Sequence, residues 1–190
     1  MVRPALDVYD AWAKLLAYPR EVGPDEAEGC IERIAGVAPE AVADLRPLRD
    51  FLHEHEASEL EELFTRTFDS NAERALEVGW HLYGENYSRG AFMVRMRQLL
   101  RECGCVESSE LPDHLSHVLP VLARAPEPTA DALANGVVVP ALAKVAGGFK
   151  DEQNPYAGVI RALRAFLEQH HASEGAARAV QSEREGHDDQ

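Results

Sequence analysis

Paired cysteines, glycine-rich phosphate loops, basic charge and long apolar runs are all scarce in this sequence. Its 190 residues hold three cysteines, Cys30, Cys103 and Cys105. An odd number with no paired spacing argues against a disulfide framework. Cys103-Gly104-Cys105 is too tight for a zinc-ribbon spacing, so the three read as reduced thiols. There is no strand–glycine loop–helix unit to cradle a phosphate and no His-Glu-x-x-His zinc motif. A di-iron bundle needs two Glu-x-x-His motifs and two more glutamates; the chain offers one such spacing, Glu168 to His171. No apolar run approaches the ~18 residues that span a bilayer. Asp7, Asp10 and Lys14 interrupt any signal-peptide layout, so the expected compartment is the cytoplasm, with no stable membrane insertion.

Against 33 acidic residues there are 19 lysines and arginines, a formal net charge of -14. Such a surface repels nucleic acid and anionic lipid and favours basic partners. By itself, the charge favours the simpler reading of a surface kept acidic for solubility.

What the chain does have is helical periodicity. Val8, Trp12, Leu15 and Leu16 share one helix face, and Ala27, Cys30, Ile31 and Ile34 repeat the pattern. Pro39 opens a helix through Val42, Leu45, Leu48 and Leu52, with a kink or restart expected at Pro47. Ser58 to Glu61 reads as a capping box ahead of Leu60, Leu63, Phe64 and Phe68. Asn71 is the expected cap of a helix through Leu76, Gly79, Trp80 and Tyr83, and Ser88 that of a helix carrying Phe92, Met96, Leu99 and Leu100, stopped by Gly104. Pro112 suits a first helical position ahead of Leu115, Val118, Leu119 and Leu122. Thr129 should cap an apolar stretch to Gly148, bent at Pro140. Asn154-Pro155 should start the most clearly amphipathic helix, through Tyr156, Ile160, Leu163, Phe166 and Leu167. The expected fold is all-α: a single-domain bundle of about eight helices over residues 1–171, followed by a disordered acidic tail, 172–190.

Two segments concentrate chemistry. Trp80 to Gly90, WHLYGENYSRG, crowds aromatics, a histidine, an acid and an arginine into a turn between helices. Such a mix suits a groove that stacks apolar side chains and pairs charges, although a well-capped turn explains it as well. Glu110-Leu111-Pro112-Asp113-His114 is good helix-start chemistry, with acids beside the positive end of the dipole. His114 and His117 lie three apart and, with His81, could offer three metal ligands to a small helical metal-dependent enzyme. Histidine pairs at this spacing are common, and surface or capping roles are the simpler reading.

At these segments the chain resembles the nitrate reductase delta-subunit chaperones, relatives of the redox-enzyme maturation proteins. Leu63 to Asp69 (LFTRTFD) resembles the family's aromatic-Phe-Asp helix end. His81-Leu82-Tyr83-Gly84-Glu85, then Ser88-Arg89-Gly90 and Met93, resembles its His-x-His-Gly-acid…Arg-Gly…Met stretch, with Tyr83 in place of a histidine. Glu110 to Leu115 resembles its Glu-Leu-Pro-Asp motif, and Asn154-Pro155-Tyr156-Ala157 its Ser-Pro-Tyr-Ala. The resemblance implies a non-enzymatic chaperone without metal or cofactor of its own. It implies binding to the N-terminal segment of the apo catalytic subunit of a molybdenum oxidoreductase, nitrate reductase or a sister enzyme, and support for cofactor insertion before docking or export. The contact residues it implies are His81, Tyr83, Glu85, Arg89, Asp113 and His114. An acidic, aromatic-walled groove would suit a basic and apolar client segment. The alternatives are the metal enzyme above and a permanent adaptor subunit.

Overall fold

The computed structural model describes residues 4–150 and 153–171. The expected tail, 172–190, lies outside the described residues. Within them the chain is all-α, with eleven α-helical segments: α1 Leu6–Leu15, α2 Pro19–Val22, α3 Pro24–Val37, α4 Val42–Glu54, α5 Ala57–Phe64, α6 Val78–Tyr83, α7 Tyr87–Glu102, α8 Leu115–Arg124, α9 Glu127–Leu133, α10 Val139–Gly147 and α11 Pro155–His170. The number exceeds the expected eight for two reasons. A single turn, α2, stands apart from α1, and the apolar rod after Pro126 is divided by a π-helical turn, Ala134–Val138. That wider turn takes the place of the bend expected at Pro140. Asn135-Gly136, a hairpin signal between strands, sits inside this turn, where the Asn135 side chain donates to Asp131 O at 3.0 Å.

Most caps lie two or more residues from the expected ones. The capping box is made by Glu56 and Glu59, not Ser58. Asn86, not Ser88, caps α7, its side chain accepting from the Ser88 amide at 2.8 Å. Asn71 shapes a turn by accepting from the Glu73 amide, and the helix it was expected to cap begins only at Val78. Leu115, not Pro112, is the first residue of α8, with His114 as its N-cap, and α9 starts at Glu127 rather than after Thr129. Pro47 sits inside α4 without ending it. Gly104, at φ +63°, stops α7 as expected, and Asn154 caps α11. Where several acceptors lie within a few residues, the tertiary entry angle of the chain selects one.

The core joins these helices through their apolar faces. α1 packs against both α3 and α8, and α11 against α4 and α10. Trp12, Tyr9 and Phe166 are fully buried where α1 meets α11. Gly158 allows the closest approach of α11 to α4: a Cβ there would lie 1.9 Å from Asp44 O. α10 also packs on α6, which is how the α6–α7 pair is held on the bundle. His171, at the Glu-x-x-His spacing, has its ring buried between the Tyr9 hydroxyl at 2.8 Å and the Asp131 carboxylate at 2.7 Å.

One expectation needs correction. Taken as one rod, Glu127–Gly147 is long and apolar enough to cross a membrane by length and composition, with a mean hydropathy of 1.2. Its inward side chains, among them Ala130, Ala134, Val138, Ala141 and Leu142, are fully buried in the bundle. The apolar positions are divided by Asp131, Asn135 and Pro140, which conceals the run from a linear reading.

Candidate functional site

The Glu110–His114 segment is tied by backbone to the residues just ahead of the Trp80–Gly90 segment. The Val78 amide donates to Asp113 O at 2.9 Å and the Leu115 amide to Leu76 O at 3.0 Å, forming an isolated antiparallel bridge between Glu77 and His114. This stapling sets the start of α6 beside the start of α8. Between them opens a cleft of about 300 Å³. Phe68, Trp80, Leu76 and Leu111 supply apolar wall; Asp69, Glu77 and Glu110 supply three carboxylates against the single guanidinium of Arg89. Burial, then the nearby carboxylates of Glu77, Asp69 and Glu21, push Glu110 above its ordinary pKa. Burial likewise raises Asp69, opposed by a hydrogen bond from Thr65. The cleft is therefore acidic and short of counter-charge.

Arg89 is held rather than free. Its Nε donates to Asp113 Oδ2 at 3.1 Å, and its guanidinium lies 5.7 Å from the Trp80 ring centroid, a cation–π distance. Asp113 itself is wholly buried, and its Oδ1 has no hydrogen-bond partner. Gly79 makes room for it: a Cβ there would meet Asp113 Oδ2 at 2.6 Å and Phe92 at 2.9 Å. Trp80 is oriented by its indole N–H, which donates to Ala72 O at 3.0 Å. From behind, Tyr156 packs edge-on against Phe68 at 4.9 Å, and Asn154 donates to Thr67 Oγ1 at 2.9 Å.

All four sequence motifs thus meet at one place: three line the cleft and the fourth supports its Phe68 wall. A sequence model of the nitrate reductase delta subunit family matches residues 35–173. The chain belongs to that family. Its members are assembly chaperones rather than catalysts, associated with the catalytic subunit of a nitrate reductase. No curated protein matches the chain.

The residues that the delta-subunit resemblance implied do not all line the cleft. Arg89 and His114 line the cleft, and Asp113 lies beneath it, out of reach of a docked segment. His81 points to the other side of α6, into an open groove of about 610 Å³ with Lys144 and Lys150. Tyr83 packs against Phe92 at 5.6 Å, and Glu85 is exposed on the turn; neither lines the cleft. The sequence reading did not single out Phe68, Asp69, Glu77, Trp80, Glu110 and Leu111 as contacts. All but Glu77 stood inside quoted segments, so motif membership was the available signal.

The three histidines of the metal hypothesis are used otherwise. His81 Nε2 bonds Ala75 O at 2.7 Å, and burial lowers its pKa. His114 Nδ1 accepts from the Ser116 amide as the α8 cap, and burial lowers its pKa to about 4. His117 accepts from the Ser108 amide at 2.9 Å through Nε2 and sets Nδ1 against Leu111 O, also at 2.9 Å. Among the described residues no group of three or more histidine, cysteine or acidic side chains is placed to hold a metal. The cysteines are free thiols, raised in pKa by burial.

Proposed function

We propose that this delta-subunit family member is a molybdoenzyme-specific assembly chaperone, which receives the N-terminal segment of its apo catalytic subunit in the Phe68–Trp80–Glu110 cleft and supports cofactor insertion before docking or export. The observation that carries this is the pairing of aromatic walls with three carboxylates and one fixed arginine. A segment with a basic side chain meets Asp69, Glu77 and Glu110. Its apolar side chains meet Phe68, Trp80 and Leu111. Arg89, immobilised by Asp113 and Trp80, keeps its terminal nitrogens for a client carbonyl. Burial makes Asp69 and Glu110 costly to keep charged, and a client cation relieves that cost, so binding favours basic over neutral segments.

His114 lines the cleft in its neutral form; Glu85, exposed on the α6–α7 turn, and His81, in the groove on the other side of α6, serve a longer segment that passes over α6, with Tyr83 packed behind on Phe92. The site works in the cytoplasm, before any export step. The test is maturation of the cognate catalytic subunit with a chaperone carrying Glu77→Gln and Glu110→Gln. These changes keep the shape of the cleft and remove its charge. The client should accumulate with its molybdenum content reduced while the chaperone level is unchanged. Full molybdenum loading would remove the cleft from the mechanism.

A further inference from the structure

The solvent face of α7 has a chemistry opposite to that of the rest of the chain. Within Tyr87–Glu102 there are four arginines and one glutamate, in a chain whose net charge is -14. At helical spacing Tyr87, Ala91 and Val94 form a ridge on the exposed side, continued by Gln98 and Arg101. Tyr87 is 91% exposed and Val94 69%. Arg95, beside this ridge, and Arg101, at its end, have no ion-pair partner among the described residues, although the chain has acids in excess. Arg97 is engaged by Glu107 at 2.7 Å, and Gln98 bonds Glu102. One residue before Glu107, Val106 is 89% exposed. Large apolar groups exposed beside unpaired arginines mark an interaction surface.

We infer that this face docks an acidic, apolar-bearing helical segment of a protein partner. Charge complementarity selects that occupant. An anionic membrane would meet Arg95 and Arg101 but be repelled by the remainder of the acidic chain. A second copy meeting α7 with its own α7 across a twofold axis would set arginine against arginine. The chain's own segment 172–190 is acidic but has one large aliphatic residue, Val180, too little to cover Tyr87, Val94 and Val106. An acidic amphipathic segment supplies both halves: carboxylates for Arg95 and Arg101, and apolar side chains for the Tyr87–Val94 ridge. This surface is distinct from the cleft, which prefers the opposite charge.

The probe is a labelled 18-residue helical peptide with leucine and phenylalanine on one face and glutamate on the other, titrated against the full chain by fluorescence anisotropy. Saturable binding should weaken with salt. It should fall about tenfold or more in Arg95→Glu with Arg101→Glu, and comparably in Tyr87→Ser with Val94→Ser. All four positions are surface-exposed, and circular dichroism checks that the variants fold. A chain ending at residue 171 should bind the peptide as the full chain does. Four results would overturn the inference: no binding, equal binding by the variants, tighter association with phosphatidylglycerol vesicles than with the peptide, or a dimer in sedimentation that the arginine reversals abolish. A gain of tenfold or more on truncation at 171 would assign the face to the chain's own terminal segment instead. Loss of cleft binding to a basic segment in Glu77→Gln with Glu110→Gln leaves these readouts unaffected, so the two surfaces are tested separately.

Discussion

Removing the Arg89 side chain leaves the Asp113 carboxylate fully buried with no counter-charge. Breaking a buried pair from one side costs about 3–5 kcal/mol, a large part of the ~5–15 kcal/mol that holds a domain together. Arg89→Ala should therefore lower the urea midpoint markedly as well as weaken client binding. If its stability matches that of the parent, the pair is not structural. The same scale governs pH. His114 takes up a proton near pH 6.5 when unfolded but near 4 when folded, because burial disfavours the charged ring. The stability it supports is intact above pH 6.5 and falls as pH drops towards 4, by about 2 kcal/mol at pH 5. Protonation of Nδ1 would also remove the acceptor that caps α8. His81 and His170, both lowered by burial, act in the same direction. In His114→Asn, which keeps a capping side chain, the loss between pH 7.5 and pH 5 should shrink by that amount. An unchanged loss would show that the ring is accessible to protons in the folded state.

Among the helices, identical substitutions should have opposite outcomes. Alanine is favoured over glycine inside a helix by about 1 kcal/mol. Gly29 in α3 has nothing within 4 Å of a new Cβ, so Gly29→Ala should raise stability by up to that amount. Gly158 in α11 has Asp44 O at 1.9 Å. There the clash outweighs propensity, and Gly158→Ala should cost about 1–3 kcal/mol or more as α11 is forced from α4. Denaturant melts of the two variants check the pair; a stable Gly158→Ala would mean that the helices separate easily. Helix identity was legible because residues such as Val8, Trp12 and Leu15 keep strict spacing. Helix starts were less so: Glu56 and Ser58, or Asn86 and Ser88, are both credible caps, and only tertiary packing chooses. The π-helical turn at Ala134–Val138 leaves no pattern distinct from a helix, so the bend was placed at Pro140.

For the molecule as a whole, the sequence made the site legible as motifs but not as a surface. Glu110 and Phe68 were inside quoted segments, yet it takes the backbone bridge between Glu77 and His114 and the packing of Phe68 on Tyr156 to set them at one cleft. Asp113 stands in the same motif as Glu110 and His114, which line the cleft, but its complete burial gives it a positioning role that no linear pattern reveals. Net charge suited a basic partner or plain solubility alike; under the proposed function, the three carboxylates of the aromatic-walled cleft are where such a partner would bind. The most direct test is calorimetric titration of the N-terminal segment of the cognate catalytic subunit into the full chain, at low and high salt, for the parent and for Glu77→Gln with Glu110→Gln. Exposed charges are screened over a Debye length of ~8 Å at physiological ionic strength. If the cleft receives the segment, the parent should lose affinity as salt rises, and the double variant should bind more weakly with a flatter salt dependence. Equal affinity and equal salt dependence in the two proteins would contradict it.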